Sequence, residues 1–140
     1  MKFWDTSAIL PLLVEESASA QVDAVFKGDA SLVVWWGTSI ECVSAVARLE
    51  REGNITAEEG AAIIGRLNQI RETWREIQPG QRLKQIAERV LRLHPLRAQD
   101  AQQLAACLIA NQDHAMVFVT LDKRLAMAAH KEGVTIHVWN

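Results

Sequence analysis

Residues 2–14, KFWDTSAILPLLV, pass from a short apolar strand into a helix, and Asp5 stands at the change. Phe3 and Trp4 suit a buried strand, Thr6-Ser7 offers an N-cap, and Pro11 falls close enough to the first helical turn for its missing N–H to cost little. A strand that feeds a helix this way opens a βαβ plan, and the same alternation repeats along the chain. After SASAQVDAVFKG (17–28), Leu32 to Trp36 is an unbroken apolar run, too uniformly hydrophobic to have a wet face. Gly37-Thr38 opens a helix to about Glu52 with Ile40, Val43, Val46, Ala47 and Leu49 turned inward, and Gly53 closes it.

From Thr56 the spacing predicts a longer helix to about Ile77, with Ile63, Leu67, Ile70, Trp74 and Ile77 on one stripe that reads as internal core. Pro79-Gly80 breaks it. Leu83, Ile86, Ala87, Val90 and Leu91 mark another helix, and Pro95 forces an extended segment around Leu93 to Leu96. A helix over Asp100 to Ala110, a buried strand over Met116 to Thr120, a helix over Asp122 to Glu132 and a last strand over Val134 to Val138 complete the pattern. Strands separated by helices imply right-handed crossovers and a mainly parallel sheet with helices on both faces, here one α/β domain spanning residues 1–140.

The 140 residues are enough to bury about two thirds of the surface of the unfolded chain, so no staple is required. Cys42 and Cys107 are too few and too isolated for a disulfide framework or a zinc knuckle; as lone thiols they suit a reducing cytoplasm and read as small buried hydrophobes. The longest apolar run, Ala8 to Val14, is interrupted by Pro11 and closed by Glu15-Glu16, which argues against a membrane span or a secretion signal. His94, His114, His130 and His137 show no paired metal-ligand spacing.

Four acids are placed differently from the rest. Asp5, Glu41, Asp100 and Asp122 each fall where a strand has just ended or a helix has just begun, whereas Glu50, Glu52, Glu58, Glu59 and Glu88 lie on polar helix faces. In a parallel α/β sheet, loops at the carboxyl ends of the strands converge on one crevice. Two carboxylates 4 Å apart repel by roughly 4 kcal/mol at an effective dielectric near 20, so such a cluster must be protonated or must hold a cation. Taken singly each has a bland reading: Thr38-Ser39-Ile40-Glu41 matches a capping box, Asp100 and Asp122 sit in first helical turns, and Asp5 is a turn residue. Together they map to one rim. An all-oxygen donor set without His or Cys suits Mg²⁺ or Mn²⁺, which can activate water for in-line attack on a phosphodiester and so points to a nuclease. That route gives a 5′-phosphate product and has no need of a 2′-hydroxyl.

Net charge is −2, unhelpful for a nucleic-acid binder, but setting aside four of the 17 acids leaves 13 against 15 basic side chains. Arg97 precedes the Asp100 helix, and Lys123 and Arg124 occupy the first turn of the Asp122 helix, at the end of the dipole that disfavours cations. Phosphate contact and salt bridges to nearby carboxylates are both open for these three.

DTSAIL after a short strand, a Glu early in the helix after the second strand, RAQDAQQLAA and VTLDKRLAMAAHKEGV together resemble the PIN-domain ribonucleases, and among them the VapC-type toxins of toxin–antitoxin pairs, over nearly the whole chain. The resemblance implies a five-stranded parallel sheet of order 3-2-1-4-5, a Mg²⁺- or Mn²⁺-dependent endoribonuclease, a homodimer and inhibition by a VapB-like antitoxin. Position by position it assigns Asp5, Glu41, Asp100 and Asp122 to the catalytic metal centre, with Thr6, Ser7 and Thr120 as supporting hydroxyls. Two other classes compete. A phosphoacceptor signalling domain needs a middle strand ending in Asp, and Leu32 to Trp36 ends in Trp-Gly-Thr instead; a non-catalytic binding module of the same fold is disfavoured by the presence of all four acids.

Overall fold

The computed structural model describes residues 1–139, with Asp113 defined by its backbone alone. Five parallel strands, β1 (Lys2–Trp4), β2 (Leu32–Trp35), β3 (Arg75–Ile77), β4 (Val117–Val119) and β5 (Thr135–Ile136), form one sheet of order β3-β2-β1-β4-β5. The helices between them are α1 (Thr6–Leu13), α2 (Ser19–Gly28), α3 (Thr38–Arg51), α4 (Ala57–Arg71), α5 (Gln81–Leu93), α6 (Ala98–Asp113) and α7 (Lys123–Lys131).

Strand alternation sorts the core into two layers. Phe3, Val33, Trp35 and Phe118 face α5, α6 and α7, where they meet Leu83, Val90, Leu104 and Leu125. Trp4, Leu32, Val34 and Val119 face the opposite way, against Ile9 and Leu12 of α1, Val22 of α2 and Leu67 of α4. Both faces of β1 and β2 are therefore dry, as their uniform apolarity requires. Cys42 and Cys107 are buried, and burial pushes both thiols up to about 12. Gly53 adopts a positive φ of 76° at the end of α3, the stop expected there. Among the described residues no helix is long and apolar enough to cross a membrane.

Three expectations are corrected. The long helix ends at Arg71, and Arg75–Ile77 is a strand that pairs Val33, Val34 and Trp35 with Arg75, Glu76 and Ile77. The backbone of β2 has an outer edge to satisfy inside the fold, and that demand overrides the helical spacing of Trp74 and Ile77. In a helix those two would share a face; here Trp74 joins the layer of Leu67 and Ile77 the layer of Trp35. The segment around Pro95 is extended at His94 and Arg97, as expected there, with Leu93 still in α5, and it joins α5 to α6. On α3, the inward face carries Thr38, Ser39, Cys42 and Val46, while Ile40 and Val43 are exposed. Trp36 also lies past the end of its strand, exposed, its ring edge-on to Trp35 at 6.2 Å. Gly37 follows because a Cβ there would come within 2.5 Å of the Trp35 indole nitrogen.

Candidate metal centre

Parallel strands point their carboxyl ends one way, so α1, α3 and α7, which follow β1, β2 and β4, all start at that rim. Helix α6 runs back to feed β4, which puts its amino end, with Asp100, at the same rim. Asp5 directly ends β1. Its N–H donates to the Val119 carbonyl at 3.2 Å, tying the ends of β1 and β4 together.

Two groups of acids form there. In the first, Ser7 Oγ donates to Asp5 Oδ1 at 2.8 Å and lies 3.3 Å from Thr120 Oγ1. Thr120 Oγ1 accepts from the Asp122 N–H at 3.0 Å, and Ser7 Oγ accepts from the Leu121 N–H at 2.9 Å. Asp5 is 4% exposed, and burial raises its carboxyl from 3.8 to about 7, against the opposing pull of hydrogen bonds from Ser7 and Thr120 and with a further push from the Asp122 charge. In the second group, Thr6 Oγ1 donates to Glu41 Oε1 at 2.8 Å. Burial, with a contribution from the Asp100 charge, raises the Glu41 carboxyl above its ordinary range. The adjacent Thr6 and Ser7 join the two groups, one hydroxyl turned to each.

The cap readings resolve residue by residue. Asp122 does cap α7, accepting from the Leu125 N–H at 3.1 Å, and Asp100 accepts from the Arg97 N–H at 3.2 Å. Glu41 makes no cap: Gly37 precedes α3 and the carboxylate turns to Thr6 instead. Thr6-Ser7 is not the cap of α1 either. Asp5 occupies the N-cap position with no side-chain cap bond, because its carboxylate is held by Ser7.

Among the described residues, no Lys, Arg or His forms an ion pair with any of the four acids; the ion pairs present hold Asp29, Glu52 and Glu132. Nor do three His, Cys, Asp or Glu side chains among those residues stand at chelating distance from one another, so the acids form no closed cage; the Asp122 charge acts on Asp5 and the Asp100 charge on Glu41. Arg97, Lys123 and Arg124 are exposed at the rim, and the salt bridges open to them in sequence are not formed. Lys123 and Arg124 line a groove of about 150 Å³ with His94, Pro95, Met127 and Lys131.

Sequence reasoning missed Gln103 and Thr38. Both are buried, and the Gln103 side-chain nitrogen donates to Thr38 Oγ1 at 3.0 Å and to Thr6 Oγ1 at 3.2 Å. The available signal was an amide one helical turn after Asp100, on the face that also carries the apolar residues of α6.

By sequence the chain matches no family model, and no curated protein matches it. Its fold does have counterparts. The crystal structure of PAE2754 from Pyrobaculum aerophilum superposes with a TM-score of 0.69 at 21% identity, covering 96% of this chain and 82% of that one. That of FitAcB from Neisseria gonorrhoeae gives 0.67 at 19% identity, over 99% and 97% of the two chains. This is a PIN-like fold. A toxin–antitoxin complex from Klebsiella pneumoniae adds a third likeness, TM-score 0.61 at 15% identity over 90% and 91%. At such identities what the PIN-like chains share is the arrangement of strands and helices, including the expected order 3-2-1-4-5.

Proposed function

We propose that this chain is a Mg²⁺- or Mn²⁺-dependent endoribonuclease and the toxin of a toxin–antitoxin pair. The observation that carries the reading is four carboxylates at one rim of a PIN-like sheet with, among the described residues, no cationic side chain paired to any of them. Asp5 supports it most directly: an aspartate this buried is stable only with a proton or with a counter-charge, and the neighbouring groups supply hydroxyls. The donor set is hard oxygen throughout, which fits either cation.

Asp5, Asp100 and Asp122 would hold the metal directly or through water, with Glu41 a further ligand or the base that orients the attacking water. When bound, the metal supplies Lewis acidity toward water and neutralises charge on the phosphate. Ser7 and Thr120 orient Asp5, and Thr6 orients Glu41. Arg97, Lys123 and Arg124, exposed near the amino ends of α6 and α7, would contact phosphates of the RNA strand. A homodimer and a VapB-like antitoxin that places a basic side chain in the crevice complete the proposal; of these, the likeness to a toxin–antitoxin complex from Klebsiella pneumoniae supports an antitoxin partner alone.

The test is cleavage of an end-labelled RNA pool by the purified chain with Mg²⁺, Mn²⁺ or a chelator, followed by mapping of the new ends. Cleavage that needs the metal and leaves 5′-phosphates is expected. Cleavage in chelator, or 2′,3′-cyclic phosphate ends, would overturn the mechanism, and intact RNA under all conditions would overturn the activity.

A further inference from the structure

We propose that Gln103 is a positioning residue that fixes the carboxylate of Glu41 by tying α6 to α1 and α3, an assignment that rests on the metal-nuclease reading for its purpose. The side chain is 2% exposed, and its nitrogen faces four oxygens: Thr38 Oγ1 at 3.0 Å, Thr6 Oγ1 at 3.2 Å, and both carboxylate oxygens of Glu41 at 3.4 Å. Chemistry settles which way the amide points. An ionised carboxylate only accepts, so turning the amide over would set its carbonyl oxygen against two more oxygens. The single hydroxyl proton of Thr6 goes to Glu41 Oε1, so Thr6 meets Gln103 as an acceptor and the network has one consistent direction.

One amide thereby touches the start of α1 beside Asp5, the first turn of α3 with Thr38 and Glu41, and its own helix one turn after Asp100. A second observation separates this from ordinary core filling. Gln103 Oε1 is buried and has no partner among the described residues. An amide oxygen left that way costs a fold stability; a leucine of similar size would remove that cost while taking a donor from Thr38, Thr6 and Glu41, so the two changes offset. What the amide contributes is all on its nitrogen side, delivered to Glu41 and to the two hydroxyls around it.

Gln103→Leu and Gln103→Met test the assignment on the full chain with three readouts: Mn²⁺ titration, kcat and KM on the RNA pool, and thermal unfolding. Residues that orient metal ligands typically alter metal affinity or activity by about 10–100-fold when replaced. We expect Mn²⁺ binding weakened and kcat lowered by that order, KM within about twofold of the parent, and Tm within a few degrees of the parent. In the parent without metal, the Gln103 side-chain amide should give a slowly exchanging pair of ¹H–¹⁵N signals that moves on Glu41→Gln. Unchanged Mn²⁺ affinity and kcat, a loss of activity that tracks a loss of Tm, or fast-exchanging amide signals indifferent to Glu41 would each overturn the proposal. If the parent cleaves no RNA, the nuclease reading falls alone, and the Mn²⁺ titration and the amide signals still decide the role of Gln103.

Discussion

Two acidic corners of the molecule behave in opposite ways. Glu132, at the end of α7, sits between Arg89 at 3.0 Å and His94 at 2.7 Å, and these partners hold its carboxyl below the ordinary range. Asp29, paired with the amino terminus and with the Ser31 N–H, is lowered likewise. At the rim, Asp5 and Glu41 are raised, since burial and neighbouring acids outweigh the hydroxyls that bond them. The sequence has 15 Lys and Arg side chains, and among the described residues none forms an ion pair with a rim acid. What sets the rim acids apart is burial: Asp5 is 4% exposed and its carboxyl is bonded by hydroxyls, whereas Glu132 is held by an arginine and a histidine, and under the proposed function that missing counter-charge is a metal ion.

The largest test of that contrast is Asp5→Asn, which under the proposed function removes a metal ligand. Metal catalysis contributes several kcal/mol of transition-state stabilisation, so RNA cleavage should fall by about 10³-fold or more. Parent-like cleavage by this variant would break the comparison at its centre.

The same substitution reads out in stability without metal. An unfolded Asp titrates near 3.9 and folded Asp5 near 7, so the folded state binds this proton more tightly. Its contribution is complete below about pH 4 and is lost as pH climbs through about 7. Denaturant melts of the two proteins should therefore diverge across that window, Asp5→Asn becoming the more stable by up to about 4 kcal/mol at pH 8. Divergence in the other direction would mean that the carboxylate is satisfied after all.

Glu132→Gln should show the mirror image. A lowered carboxyl stabilises above its unfolded value and stops doing so as pH falls through the acid range, so the variant should be less stable by about 1 kcal/mol at pH 7, with the gap closing toward pH 3. Its cleavage should stay within a few-fold of the parent, because Glu132 is bonded to Arg89 and His94 and to none of the four rim acids.

The smallest effect sharpens the comparison within the rim itself. Asp122 also caps α7, so Asp122→Ala should cost about 0.5–2 kcal/mol from the cap, while Asp122→Asn keeps the cap and costs a few tenths. Equal melts for the two would show the cap to be idle.

Much of this arrangement was legible in the residues because local chemistry dictates it. The strand–turn–helix of KFWDTSA, the apolar run of Leu32 to Trp36, whose strand ends one residue sooner at Trp35, and the stop at Gly53 each follow from side-chain and backbone preferences within a few positions. The third strand was not legible. Arg75–Ile77 has the spacing of the helix before it, and its extended form is imposed by the unpaired edge of β2, some forty residues earlier in the chain. The inward face of α3 was misread for a related reason: small and hydroxylic Thr38, Ser39 and Cys42 fit against α1 and the sheet, where bulkier Ile40 and Val43 were expected.

By itself the sequence determined the α/β alternation and the four acids at element junctions, because periodicity and capping chemistry act over one or two turns. Only the tertiary structure decided that Thr6 serves Glu41 while Ser7 serves Asp5, that Asp122 caps its helix and Glu41 does not, and that a buried glutamine from α6 joins them. Those choices depend on which side chains meet across separate elements, and hydrogen bonds a few ångströms long are selected by packing that no local window contains.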